Sequence, residues 1–446
     1  MFTKFSLSFV SAMPKFVLGL LLLGLSSLSM AGVKIQQWQT AQGAQVLFVE
    51  NHDLPILDVS TGFYAGSARD HADKAGVAAL TRYLMTLGAG GLSDEQIANQ
   101  MADIGANLGG SVNADQASFT LRTLSNTRER ELALQIYRKI LQQPDFPEAV
   151  LKREKARVIA GIEESLTQPE SIANKNFFNA LYGNHPYSKD EDGDIAAVNS
   201  IQSADLRAFY QQHYGAKSAV IAMIGDISRA EAEAIADSIS QGLPQTAAPA
   251  PLPPVSYPTT AVEKRIPHPA TQAHILLGYP GIKRGDEDYF ALYVGNYILG
   301  GGGFVSRLTE EVREKRGLVY SVYSYFMPLA ELGPFQVGLQ TKKEQSEQAL
   351  QLVRSTLQTF IQQGPNEAEL KAAKQNIIGG FPLRLDSNNK ILEYLALIGF
   401  YHLPLDYLDN FSQRVNQVTT AQIKQAFQRR INPDNMVTVV VGAENP

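Results

Sequence analysis

The 446-residue chain contains no cysteine, which removes disulfides, thiolate-ligated zinc, iron–sulfur clusters and a thiol nucleophile together. Histidine is scarce as well. The seven residues His52, His71, His185, His213, His268, His274 and His402 are dispersed, and no two stand at the spacing that lets a helix present two imidazoles to one metal. Asp70, His71 and Asp73 form a short cluster of metal-capable side chains, but they precede a helical run, where Asp73 reads as an N-cap. A strong charge of one sign is also missing. With a net charge of −5 the chain has no basic field, and its dense basic run, Lys152 to Arg157, fits a solvated helix face, so nucleic acid is not an expected partner.

Long apolar runs are absent too. Lys4 and Lys15 precede Phe16 to Leu25, which is followed by Ser29-Met30-Ala31. This is the layout of a secretory signal with cleavage after Ala31. The run is short of the roughly 20 residues needed to span a bilayer, so no stable membrane insertion is expected after cleavage. An exported chain without cysteine points to a bacterial periplasm.

The length predicts two or three domains at roughly 150 to 200 residues each. Alternation over Val33 to Glu50 and again over Leu54 to Tyr64 predicts paired strands. Helices are expected over 73–86, 94–104, 128–142, 146–166 and 203–213, with strands over 109–123 and 218–224. Gln241 to Thr260 carries six prolines and reads as an extended linker. Beyond it the pattern repeats. Ala273 to Gly278 matches Leu57 to Gly62, Phe290 to Gly302 matches Ala78 to Gly91, and Met436 to Gly442 matches Ala219 to Gly225. The predicted fold is α+β: two homologous domains, each an antiparallel-rich sheet with helices packed on it, joined by a proline-rich linker into a clamshell. The expected bounds are a signal peptide at 1–31, domains at 32–240 and 263–446, and a linker at 241–262.

The stretch Gly300 to Phe326 is the most distinctive. Four glycines lead into a segment with Val305, Leu308 and Val312 at helical spacing, Gly317 stands where a helix end wants a left-handed residue, and Leu318 to Phe326 reads as a strand. A sharp turn there would bring Arg313 and Tyr320 to one spot. No Gly-Lys-Ser/Thr follows the glycines, so they are not a phosphate loop.

The duplicated halves, the linker, Asn51-His52-Asp53-Leu54-Pro55, Gly183-Asn184-His185-Pro186-Tyr187 and above all Ser306 to Ser321 (SRLTEEVREKRGLVYS) resemble the pitrilysin-type, or inverzincin, zinc peptidases. The resemblance covers about residues 33 to 446. The hallmark of that family is H-x-x-E-H on a helix, two histidine ligands with a glutamate base, and a further glutamate as third ligand. In this chain the matching positions are Ala79, Arg82, Tyr83 and Gly161. Alanine and glycine have no donor, and arginine stays cationic and repels a metal. The resemblance therefore implies the non-zinc type of subunit, with no cofactor in this chain and zinc in a homologous H-x-x-E-H partner. It also implies that Arg313 and Tyr320 position peptide substrate, and its developing oxyanion, in trans. Ser111 to Ala114 resembles the edge strand against which substrate lies, which makes Asn113 and Ala114 candidate substrate-binding residues. The alternative is a structural or peptide-binding scaffold with no catalytic role. Homodimer and heterodimer both remain open at this level.

Overall fold

The computed structural model describes residues 33–442 apart from Ala248; the expected signal peptide lies outside the described residues. The strands are β1 Gln36–Gln39, β2 Gln45–Glu50, β3 Ile56–Phe63, β4 Asn107–Gly109, β5 Ala117–Leu124 and β6 Val220–Gly225 in the first half. Those of the second are β7 Val262–Ile266, β8 Gln272–Pro280, β9 Val319–Phe326, β10 Pro334–Lys342 and β11 Val437–Val441. The first six form one sheet in the order β1-β2-β6-β3-β5-β4, the last five a second in the order β9-β10-β8-β11-β7. Read from its other edge, the second sheet repeats the first. β7 pairs parallel with β11 as β2 does with β6, and the remaining neighbours are antiparallel in both. The duplication is thus a duplication of topology, and Gly62 and Gly278 occupy equivalent places in it.

Alternation explains the strands. In β5 buried and half-buried residues alternate along the strand, whereas β6 and β11 lie mid-sheet, are buried throughout and read as continuous apolar runs. β2 and β3 do not pair with each other. β6, more than 150 residues away in sequence, runs between them, so the expected neighbours are split by a strand that closes the domain. The strand expected over 109–123 is likewise broken: β4 and β5 are joined by a turn that contains Ser111 to Ala114.

The helices are α1 Val77–Met85, α2 Asp94–Asp103, α3 Thr127–Gln142, α4 Glu148–Ser165, α5 Pro169–Tyr182, α6 Ser203–His213, α7 Arg229–Gln241, α8 Tyr289–Asn296, α9 Ser346–Gln363, α10 Glu367–Gly380, α11 Asn388–Phe400 and α12 Thr420–Arg430. Side-chain capping boxes open α2 (Ser93 with Gln96), α7 (Ser228 with Glu231), α10 (Asn366 with Glu369) and α12 (Thr419 with Gln422), each satisfying otherwise unpaired amides. Asp73 is no cap for α1. The Asp70 carboxylate instead accepts the amides of Gly76 and Ala78 at 2.7 and 3.0 Å.

Two helices change sides. α5, from the first half, packs on β8 and β11 of the second sheet, and α11, from the second half, packs on β6, β3 and β2 of the first. Gly278 permits one crossing, because a β-carbon there would come within 2.5 Å of the Phe177 ring. Residues from Ile35 onward accordingly form one compact unit. Among the described residues no helix is long and apolar enough to cross a membrane.

Candidate functional site

The glycine run allows a close approach. After α8 the chain widens into an i→i+5 turn over Tyr297–Gly301, and a β-carbon on Gly300 would sit 2.7 Å from the amide nitrogen of Ser324 on β9. The Asn296 side chain locks this contact, donating to the Ser324 carbonyl at 2.9 Å and accepting from its hydroxyl at 2.7 Å. Gly303 and Gly317 have φ of 63° and 62°, the left-handed region that glycine enters without strain. Between them a second wide helical segment, Thr309–Glu314, carries Arg313. Leu308 and Val312 are fully buried as expected, but Val305 is 73% exposed and points away from the core.

Tyr320 falls at a break in register. Val319 pairs with Thr341 and Ser321 with Gln340, so Tyr320 is the extra residue of a β-bulge, a device that re-aims a side chain. The ring is 76% exposed. The Arg313 guanidinium carbon lies 6.0 Å from the centre of that ring and 4.9 Å from the centre of Phe304. Among the described residues its one ionic neighbour is Glu314, at a loose 3.7 Å. The turn therefore does bring Arg313 and Tyr320 together, and it adds Phe304, which is 72% exposed and which sequence reading did not single out. Such a group can donate to peptide carbonyls or a carboxylate and cover an apolar side chain. None of the three is an imidazole or a carboxylate.

Of the positions that the resemblance aligns with the zinc motif, Arg82 and Tyr83 make internal contacts. On α1, Arg82 donates to the carbonyls of Gly109 at 2.6 Å and Ser118 at 3.1 Å, with its guanidinium carbon 5.1 Å from the centre of the Phe119 ring. Burial lowers its pKa, yet guanidinium remains a cation. Tyr83 is covered by the Arg157 guanidinium at 4.9 Å, which is itself tied to Glu154 at 2.7 Å. Ala79 offers no donor. Gly161, exposed on α4, has no other atoms within 4 Å of where a β-carbon would stand. This set does not fit zinc: one fixed positive charge and one tyrosine replace two imidazoles and two carboxylates. Among the described residues no group of three or more His, Asp or Glu is arranged to hold a metal.

Asn113 and Ala114 are already occupied. The amide of Ser67 bonds to the Asn113 carbonyl and that of Ala68 to the Ala114 carbonyl, both at 3.0 Å, while the Asn113 amide bonds to Gln116 at 2.9 Å. Its side-chain oxygen accepts from the amides of Asp115 and Gln116. An added strand would find few free partners at these residues. Beside them, buried Asp115 accepts from the hydroxyls of Tyr187 at 2.5 Å and Tyr401 at 2.8 Å and from the Ala330 amide at 2.8 Å. It belongs to the first half and ties down residues of the second.

Fold and site together define a duplicated α+β protein of metallopeptidase type whose metal-ligand positions carry no suitable donors. Comparison with known proteins agrees. Residues 46–191 match the family described as insulinase (peptidase family M16), and residues 200–377 match the peptidase M16 inactive domain. The crystal structure of a peptidase M16 inactive domain from Pseudomonas fluorescens superposes with a TM-score of 0.89 at 40% identity, covering 93% of this chain and 100% of that one. The non-peptidase homolog YmxG of Helicobacter pylori is 24% identical over 96% of this chain and 98% of its own length. The periplasmic protease PqqL of Escherichia coli shares the fold, with a TM-score of 0.78 at 15% identity, but this chain matches only 45% of it. The chain belongs to the M16 peptidase family.

Proposed function

We propose that this chain is a non-peptidase M16 subunit that acts in the periplasm beside a homologous H-x-x-E-H partner and holds peptide substrate through Arg313 and Tyr320. The observation that carries the reading is the contrast between two places. Where the resemblance puts the family's metal-site residues, Arg82 and Tyr83 are engaged in internal contacts; Tyr320, in contrast, is presented outward on a bulge, beside Arg313, whose one ionic contact among the described residues is a loose one to Glu314. The inactive-domain and non-peptidase names of the Pseudomonas and Helicobacter relatives support the absence of a peptidase activity of its own. Hydrolysis then belongs to the partner, and this chain contributes donors to the substrate backbone.

The test has two parts. The purified chain is expected to hold no stoichiometric zinc and to cleave no peptide, and zinc-dependent cleavage by the chain alone overturns the proposal. Co-expressed with an H-x-x-E-H homologue encoded nearby, it is expected to co-purify and to support cleavage. Arg313→Ala then lowers kcat/KM by about 100-fold, as loss of an oxyanion donor does. Unchanged kinetics for Arg313→Ala and Tyr320→Phe would leave a scaffold role instead.

A further inference from the structure

Between α8 and β9 lies a cavity of about 550 Å³, within the range of roughly 300 to 1,000 Å³ typical of ligand sites. Its walls are aromatic. Tyr289 and Tyr293 stack at 5.9 Å on one side, and Tyr325, Phe326 and Met327 close the other. The polar atoms of Asn296 and Ser324 within it are spent on each other. The Ser324 carbonyl is capped in this way, which blocks addition of a strand there. Beside the tyrosine hydroxyls, one charged donor lines it, Arg284. Arg284 is half-buried, with its Nε buried and unpartnered among the described residues, and its guanidinium carbon lies 5.3 Å from the centre of the Tyr401 ring. The neighbouring carboxylates are committed elsewhere, Asp286 and Asp288 to Arg430, Asp288 also to Arg429, and Glu331 to Lys283.

A half-buried guanidinium with no carboxylate paired to it among the described residues, set in an aromatic chamber, suits a ligand with an apolar body and one carboxylate. We infer that this cavity binds the carboxy-terminal end of an apolar or aromatic peptide, with its terminal carboxylate on Arg284. Continuity favours a peptide over a small acid. Gly303 lines the cavity, and the next residue, Phe304, stacks on Arg313. A peptide held at Arg313 and Tyr320 can therefore pass along the glycine run into the chamber. The inference rests on the peptide-binding reading above and specifies which part of the peptide is held.

The experiment uses the purified chain without a partner, so loss of the heteromeric activity and loss of this site are read separately. Fluorescence anisotropy of dansyl-Phe-Leu-Phe with a free carboxylate is compared with that of its C-terminal amide. The acid is expected to bind on the order of tenfold more tightly. Arg284→Gln is expected to bring the acid down to the level of the amide, and Arg284→Lys to recover part of the difference, with melting curves confirming the fold. Equal binding of acid and amide to the wild-type chain, or no saturable binding of either, overturns the inference without reliance on any variant. Tighter binding of dodecanoate than of the peptide acid overturns its assignment to a peptide.

Discussion

At the scale of single residues, Arg82 stands where the resemblance aligns the glutamate of the zinc motif. A guanidinium offers five donors and takes the place of a base that had to be anionic. Here two of its bonds run to carbonyls of the β4–β5 hairpin. Arg82→Met keeps the length of the side chain but strands those carbonyls, and a loss of about 1.5 to 3 kcal/mol is expected, measured as a lower urea midpoint at constant slope. Asp70 is a residue whose titration bears on stability. Burial pushes its carboxyl up to about 7 against the opposing effect of the Gly76 and Ala78 amides and Lys189. An unfolded aspartate titrates near 3.9, so between about pH 4 and pH 7 the folded chain retains a proton that the unfolded chain has released, and stability falls as pH rises through that window. Asp70→Asn removes this slope. The stability difference between wild type and Asp70→Asn should therefore shift against the wild type from pH 4.5 to 7.5, and a difference independent of pH would refute the assignment. The absence of donors at Ala79 and Gly161 and the cation at Arg82 can be read from the sequence because they concern chemical type. The bonds of Arg82, the role of Asp70 and the presence of Phe304 beside Arg313 cannot, since each depends on residues brought together only by folding.

At the scale of elements, two glycines mark opposite situations. Gly161 lies exposed inside α4 with no other atoms within 4 Å of the added β-carbon, so Gly161→Ala is expected to stabilise by about 0.8 kcal/mol through helix propensity alone. Gly300 is packed against the Ser324 backbone, where a β-carbon would come within 2.7 Å of an amide nitrogen. Gly300→Ala must push β9 away from the α8 segment, at a cost of about 1 to 3 kcal/mol, and thermal melts of the two variants should move in opposite directions. Helices with strong periodicity, such as α3 and α4, were visible from the sequence. α5 and α7 were missed although Pro169 at the first helical turn and the Ser228/Glu231 box announced them. Strand order was not legible, because β6 enters between β2 and β3 from a distant part of the chain and local pattern carries no information about that pairing.

For the whole molecule, the crossing of α5 and α11 is the decisive feature. Each sheet is covered in part by a helix that belongs, in sequence, to the other half, so each half leaves part of its sheet to be covered by the other. Asp115 adds a polar tie of the same kind through Tyr187, Tyr401 and the Ala330 amide. Removing its carboxylate leaves two buried hydroxyls and an amide unpaired, and Asp115→Ala is expected to cost about 3 kcal/mol. Cooperativity follows from the same exchange. Trp38, the single tryptophan, packs on the first core, whereas far-UV circular dichroism averages both halves. Their urea transitions should coincide, as two-state unfolding requires. Segments 32–240 and 263–446, expressed apart, should each lack a cooperative melt, since α5 and α11 would expose apolar faces that only the other sheet covers. Mixing the two should restore the transition. A sharp independent melt of either segment would show that the exchanged helices decorate the two cores and do not complete them.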